Sequence, residues 1–203
     1  MELFKKHKKA FISILSIAFI FLIVGIFLFA SKTNNSLVIP PSIAEATSLD
    51  INNKLNLSVP IKLKIPQINI DANVEQVALT SGGFMNAPEG PSEVGWYSLG
   101  PRPGEVGNAV IDGHSGWKDG KKAVFDNLYK LKIGDKVSVE SSTGVITTFV
   151  VKKISKYSPN ADATNVFIST DDKAHLNLIT CTGFWDNILK SHSSRLVVFT
   201  DKE

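Results

Sequence analysis

Three chemically reactive side chains stand next to apolar runs of this sequence. Cys181 is the only cysteine among the 203 residues and directly follows one such run. His114 follows a second run and a glycine, and Arg195 opens a third run. A thiol, an imidazole and a guanidinium supply a nucleophile, a general acid and base, and a donor for a developing oxyanion. Together they are the components of a cysteine acyl-transfer site.

Each of the three residues also has a simpler interpretation when it is taken alone. A lone cysteine after an apolar strand is commonly a small buried hydrophobe. A histidine beside a glycine is commonly a loop residue, and an arginine before a strand is commonly a charge that protects a sheet edge. The joint presence of three complementary groups favours the catalytic interpretation.

A second histidine, His192, competes with His114 for the catalytic role, because it lies only three residues before Arg195. It belongs to the polar sequence KSHSSR, which predicts a solvated loop with no strand to deliver the side chain. We therefore assign the acid and base role to His114. His175 and His7 have weaker claims.

The elements that must position these residues are short strands. Beyond residue 58, β-branched runs alternate with Gly, Pro and Asn. The runs occupy residues 61–65, 73–79, 108–112, 136–140, 145–154, 176–180 and 195–200. Many short strands with turn residues between them predict an all-β sandwich or barrel. Residues 123–131 alone read as a helix, of one or two turns.

The first part of the chain has the pattern of a membrane anchor. Residues 10–30 are uncharged and apolar, and four lysines precede them. At 1.5 Å per residue such a helix spans a hydrocarbon core of about 30 Å. The alternative, a cleaved secretory signal, has an apolar core of about 7–15 residues with a cleavage site close behind, which this segment lacks.

These features predict four parts of the chain. Residues 1–9 form a cytoplasmic basic tail, because lysines before a span stay inside. Residues 10–30 form a transmembrane signal-anchor helix, and residues 31–58, rich in Ser, Asn and Thr, form an extracytoplasmic stalk. Residues 59–203 form the folded domain, outside the cell.

Composition and spacing argue against several other functions. The formal net charge is only +3 and the lysines before the apolar segment contribute much of it, so no nucleic-acid partner is predicted. A single cysteine allows neither an intramolecular disulfide nor a multi-cysteine metal cluster. Asp119, Asp126, Asp171 and Asp172 do not have the spacing of a calcium loop. We predict no metal and no cofactor.

The three chemical segments resemble the sortase family. They are NAVIDGHSG, LITCTG and SRLVV, in the order His, Cys, Arg, and the resemblance covers about residues 60–200. The stretch GWYSLGPRPGEVG at residues 95–107 is similar to the class F branch. The resemblance implies a closed eight-stranded β-barrel with one or two short helices. It also implies that residues 157–173 shape the substrate groove.

The resemblance further implies a role for each candidate residue. Cys181 would be the nucleophile, His114 the general acid and base, and Arg195 the residue that steadies the substrate and the oxyanion. Thr180 would help to position the sorting signal.

The implied function is that of a membrane-anchored cysteine transpeptidase. Its substrates would be surface proteins with a C-terminal LPXTG-like sorting signal, cleaved through a thioester. The acceptor would be an amine of a peptidoglycan precursor or of a pilin. Two alternatives remain open at this point: a non-enzymatic surface-binding module with a structural thiol, and a cysteine hydrolase that uses water as acceptor.

Overall fold

The computed structural model describes residues 58–188 and 191–203, which fold as a closed barrel of eight strands. The strands are β1 (Pro60–Ile65), β2 (Ile70–Val77), β3 (Val94–Tyr97), β4 (Gly107–Gly113), β5 (Lys136–Ser141), β6 (Ile146–Tyr157), β7 (Ala174–Asp186) and β8 (Ser191–Lys202). Around the barrel they follow the order β1-β2-β3-β4-β7-β8-β6-β5, and β5 pairs with β1. The predicted all-β eight-stranded barrel is confirmed. The predicted basic tail and transmembrane helix, and the stalk up to residue 57, lie outside the described residues.

Within the described part of the chain, no helix combines the length and the apolar character needed to cross a bilayer.

Six of the neighbouring strand pairs are antiparallel, and two, β2 with β3 and β4 with β7, are parallel. The β4–β7 contact matters most for function, because it joins the strand before His114 to the strand that carries Cys181. Its register pairs Gly113 with Thr180. A parallel pair needs a long crossover connection, and here the crossover contains β5 and β6.

Alternation along β7 decides which side chains face the barrel interior. Leu176 and Leu178 are completely buried in the hydrophobic core. Because successive side chains of a strand point to opposite faces, Ile179 and Cys181 lie on the outer face. The predicted nucleophile thus lies on the outside of the barrel wall.

The same alternation applies to β4. Ala109 and Ile111 are fully buried in the core, so Asp112 points to the outer face. The outer faces of β4 and β7 are adjacent, and they form the surface on which the candidate site is built.

Helices in the described part of the chain are few and short. The segment predicted as helical at 123–131 contains one 3₁₀ turn, at Leu128–Lys130. A four-residue helix, α1 (Thr164–Phe167), lies in the β6–β7 connection, where the sequence predicted a loop. Asn108 donates to the Asn165 carbonyl (2.9 Å), and Asn177 donates to the Val166 carbonyl (2.7 Å). Two amides from neighbouring strands therefore hold α1 on the barrel.

The strands β7 and β8 extend further than the sequence indicated. We predicted that β7 ends at Thr180 and that β8 begins at Arg195. The ladder instead continues to the pair of Asp186 and Ser191, with a register shift after Thr182. The extension includes Phe184 and Trp185, but both are largely exposed, so it shows no alternation of buried and exposed residues. A hairpin beyond the barrel rim is held by its backbone hydrogen bonds.

Candidate active site

Cys181 and Arg195 are directly opposite each other in the β7–β8 ladder. Opposite residues of an antiparallel pair have Cβ atoms about 4.5–5.5 Å apart and project from the same face. Both side chains are partly buried, and Cys181 is a free thiol. Antiparallel pairing thus places the predicted nucleophile and the predicted cation side by side.

His114 reaches the same edge through the parallel contact of β4 with β7. Gly113, the last residue of β4, pairs with Thr180, and the residues that follow these two in the chain are His114 and Cys181. His114 Nε2 lies 2.8 Å from the carbonyl oxygen of Pro88. A carbonyl only accepts hydrogen bonds, so Nε2 carries the proton and a neutral ring has its lone pair at Nδ1.

Two further residues hold the His114 ring, and sequence reasoning missed both. The Pro88 carbonyl belongs to the β2–β3 connection and fixes one ring nitrogen. Trp117 packs edge-on against the imidazole, with ring centroids 4.7 Å apart. The Trp117 contact had a signal in the sequence, since an aromatic residue three positions after a histidine is within reach across a turn. The Pro88 contact had none, because it joins residues 26 positions apart.

Thr180 is buried, and its hydroxyl donates to the Gly113 carbonyl at 2.7 Å. That bond ties β7 to β4 at the residue directly before His114. In this structure the hydroxyl therefore sets the spacing between the histidine and the cysteine strands.

The guanidinium of Arg195 lies along its own hairpin. Nη1 donates to the carbonyls of His192 and Ser194, both at 3.1 Å, and Nη2 donates to Ser191 Oγ at 3.2 Å. These bonds hold the cation beside Cys181. A guanidinium has five N–H donors, so two of them are not engaged in these three bonds.

Three environmental effects act on the Cys181 thiol. Burial raises its pKa above the ordinary value, and the negative charge of Asp112 acts in the same direction. The Arg195 cation opposes both, but the net direction is upward. The resting nucleophile is therefore a protonated thiol, and it needs a base to become the attacking thiolate.

His192 is part of β8, so our prediction of a solvated loop was wrong. Its ring packs edge-on against Trp185, with centroids 5.3 Å apart, and its Nδ1 lies 3.2 Å from the Gly183 carbonyl. Cross-strand pairing with Trp185 delivers it to the hairpin. Its position lies three residues from Arg195, towards the tip, whereas His114 directly follows the Gly113–Thr180 pair that precedes Cys181.

His175 lies far from the thiol. It precedes Cys181 by six strand residues, which corresponds to about 20 Å. Its Nε2 contacts Asp171 at 2.8 Å and its Nδ1 contacts Asp201 at 2.9 Å. His175 is therefore a structural link between the β6–β7 connection and β8.

A carboxyl group that we did not predict lies next to the candidate site. Burial raises the pKa of Asp112 to about 8. Its Oδ1 is buried and has no hydrogen-bond partner among the described residues. The sequence signal was present, since Asp112 interrupts an apolar run two residues before His114.

Within residues 58–188 and 191–203, no group of three or more His, Cys, Asp or Glu side chains is arranged so that it could hold a metal ion. Two of the aspartates considered for calcium have other contacts. Asp126 accepts from the Gly116 amide, and Asp171 accepts from Ser169 and contacts His175.

Comparison with known proteins agrees with this arrangement. The sequence model of the Sortase domain matches residues 63–203. The chain belongs to the sortase family. Sortases are cysteine transpeptidases, so this protein is an enzyme of that kind, and the binding module without catalysis is set aside.

Solved sortases share the fold. Sortase C-1 from Actinomyces oris (formerly Actinomyces naeslundii) is 26% identical with a TM-score of 0.56, over 71% of this chain and 74% of that chain. Sortase A from Corynebacterium diphtheriae is 25% identical with a TM-score of 0.56, over 71% of this chain and 60% of that one. Streptococcus agalactiae sortase C1, in complex with MTSET, is 25% identical with a TM-score of 0.55, over 70% and 68%. A search of curated proteins found no match.

Proposed function

We propose that this sortase cleaves an LPXTG-like sorting signal near the C terminus of surface proteins and joins the new carboxyl end to an amine. The observation that supports this most is a pair of registers. Cys181 lies opposite Arg195, and Gly113, directly before His114, lies beside Thr180. Thiol, guanidinium and imidazole thereby share one edge of the barrel.

The first half-reaction forms a thioester. His114 Nδ1 accepts the proton of Cys181, and the thiolate attacks the carbonyl carbon of the threonine in the Thr-Gly bond. The unengaged donors of Arg195 stabilise the oxyanion of the tetrahedral intermediate. When the C–N bond breaks, the His114 imidazolium gives its proton to the departing glycine amine.

The second half-reaction transfers the acyl group. An amine of a peptidoglycan precursor or of a pilin attacks the thioester, and neutral His114 removes its proton. The C–S bond breaks and the Cys181 thiol is restored. In this scheme Thr180 helps to position the acyl part of the signal through the strand spacing that its buried hydroxyl sets, and neither half-reaction needs a metal or cofactor.

The setting of the reaction is the outer surface of the cell membrane. Residues 10–30 anchor the enzyme, residues 1–9 remain inside, and residues 31–58 carry the catalytic domain outside. We assign the enzyme to class F on the similarity of residues 95–107.

The test uses the full chain, purified in detergent, with an LPXTG peptide and mass spectrometry of the products. We expect a covalent acyl adduct on Cys181 and, when oligoglycine is added, an amine-linked product that forms faster than the hydrolysed one. Cys181→Ala is the control and should do neither. Cleavage by Cys181→Ala would contradict the mechanism. If the ratio of amine-linked to hydrolysed product did not change when oligoglycine was added, the enzyme would be a hydrolase.

A further inference from the structure

Asp112 lies on the outer face of β4, next to the catalytic edge. It pairs with Gly95 on β3 and with Ile179 on β7. Ile179 and Cys181 are two residues apart on one face of β7, a separation of about 6–7 Å. The Asp112 carboxyl therefore lies beside Ile179, and Cys181 is the next residue along β7 on the same face.

Gly95 provides the space for this carboxyl. A Cβ atom at residue 95 would lie 2.6 Å from Asp112 Oδ1 and 2.9 Å from Val77 Cγ1, closer than packed atoms approach. With glycine there, Oδ1 is covered by the neighbouring strand and is sealed from solvent. The carboxyl thus lies over Gly95 of β3, next to the candidate active site.

No donor within the described part of the chain reaches this oxygen. A buried carboxylate without a hydrogen-bond partner has a large desolvation penalty, whereas the protonated acid has a much smaller one. The protonated, neutral form of Asp112 is therefore the one favoured in this buried position. The raised pKa of Asp112, about 8, has the same cause, its burial.

The charged neighbours do not pair with Asp112. Arg195 on β8 donates to its own hairpin, and Glu75 on β2, the partner of Gly95, accepts from the Glu89 amide. His114, which follows the same strand, bonds to Pro88. Of the titratable groups that face Asp112, Cys181 on β7 is the one whose pKa its charge raises.

We propose that Asp112 is a positioning residue of the active site, which keeps Cys181 reactive by remaining a neutral carboxylic acid and turns the thiol off when it ionises. A negative charge one step from the sulfur opposes formation of the thiolate and of the oxyanion. It also competes for the positive charge of Arg195. This inference rests on the proposed role of Cys181 as nucleophile.

The test measures the alkylation of Cys181 by iodoacetamide from pH 6 to 10, using the full chain in detergent. Cys181 is the only thiol, so the rate reports its ionisation directly. For Asp112→Asn we expect a rate about three- to tenfold above wild type at pH 9, equivalent to a thiol pKa lower by about half to one unit. Near pH 6, where wild-type Asp112 is neutral, the two rates should agree.

The matched control is Asp172→Asn, which removes an exposed carboxylate from the β6–β7 connection and should reproduce the wild-type profile. Asp112→Ala is the second variant, in case the amide does not fit; it should show the same gain at pH 9. Circular dichroism and thermal unfolding verify that each variant is folded. Alkylation profiles of both Asp112 variants that coincide with wild type would overturn the proposal.

A peptide assay separates this inference from the proposed function. The kcat/KM for an LPXTG peptide should fall above about pH 8 in wild type and stay high to a higher pH in Asp112→Asn. If no LPXTG-like peptide is cleaved but the alkylation rates differ as expected, the substrate assignment fails and the role of Asp112 stands.

Discussion

The Arg195 side chain is preorganised by hydrogen bonds to its own hairpin. Its three hydrogen bonds to the hairpin hold a flexible cation in one place before the substrate arrives. A guanidinium held in this way needs little reorganisation when an oxyanion develops, which is the main source of electrostatic catalysis. In the proposed mechanism the hairpin is therefore part of the catalytic apparatus.

Replacing Arg195 by lysine keeps the charge and removes the fork of donors. A lysine has one nitrogen, and it cannot bond to the hairpin carbonyls, Ser191 and the oxyanion together. We expect kcat/KM to fall by about 10²-fold, with little change in the Tm, because the side chain is only partly buried. Peptide kinetics and thermal unfolding test this. A variant with wild-type kcat/KM would show that charge alone suffices.

His114 and His192 make different contacts, and their substitution should have different effects. We expect His114→Ala to lower turnover by about 10²–10⁴-fold, the usual contribution of a general acid and base. His192→Ala loses a ring contact with Trp185 and should keep most of the activity. The measurement is turnover of an LPXTG peptide by folded protein. Equal losses in the two variants would mean that the acid and base role has been misassigned.

At the scale of elements, the site depends on how β4, β7 and β8 are joined. Seven of the strands could be predicted from β-branched runs and turn signals, which left a sandwich or a barrel open, and the closed eight-stranded barrel was implied by the family resemblance. The strand β3 was missed, because it has four residues and Gly95 interrupts its apolar pattern. The ends of β7 and β8 were misplaced, because the hairpin beyond the rim lacks a regular apolar alternation: its large apolar residues, Phe184 and Trp185, are adjacent and largely exposed.

Within the site, the identity of the reactive groups could be predicted from residue types, but their surroundings could not. The buried oxygen of Asp112 depends on a glycine from another strand, and the Pro88 contact depends on a loop 26 residues away in the chain. Contacts of this kind arise from strand registers, which a single sequence does not specify.

The bond from Thr180 to Gly113 joins the two strands that carry the histidine and the cysteine. Thr180→Val has nearly the same shape and leaves the buried Gly113 carbonyl without this donor. We expect a loss of about 1–3 kcal/mol in the free energy of unfolding and a lower kcat. Thr180→Ser, which keeps the hydroxyl, is the matched control. Thermal unfolding and peptide kinetics on both variants measure the effect. Equal stability and equal kcat for Thr180→Val and Thr180→Ser would contradict the role of the hydroxyl.

His175 connects the β6–β7 connection to β8 through Asp171 and Asp201. Burial lowers the pKa of His175, but the hydrogen bonds to Asp171 and Asp201 outweigh it, so the native pKa is raised. A raised native pKa contributes stability that is complete below the unfolded value of about 6.5 and is lost as pH rises through the native value.

We therefore expect the Tm of His175→Gln to lie below that of wild type at pH 6, with a gap that narrows as the pH rises above 6.5. The difference between the Tm-against-pH curves of wild type and His175→Gln cancels contributions from other groups, such as Asp112. Calorimetry between pH 5 and 9 provides the measurement. A gap that stays constant across this range would show that the charge of His175 is not involved.

At the scale of the whole molecule, the predicted anchor sets where the chemistry occurs. Four lysines before an uncharged segment predict that the N terminus stays inside and that the domain lies outside. Protease added to intact protoplasts should remove the domain and spare an epitope placed at the N terminus. Lysed protoplasts, in which the epitope becomes accessible, are the control. A domain that survives in intact protoplasts would contradict this topology.

The parallel contact between β4 and β7 also determines when the enzyme acquires its activity. The residues that this contact joins, Gly113 and Thr180, are 67 positions apart. At about 5–20 residues per second the ribosome makes the first roughly 3–13 s before the second, and contacts between distant positions are slow to form. A growing chain thus holds the acid and base for several seconds with no nucleophile to activate. Because β8 supplies Arg195 and follows β7 in the chain, the three proposed catalytic residues are present together only after β8 has been synthesised, and a chain truncated before β8 lacks the complete set.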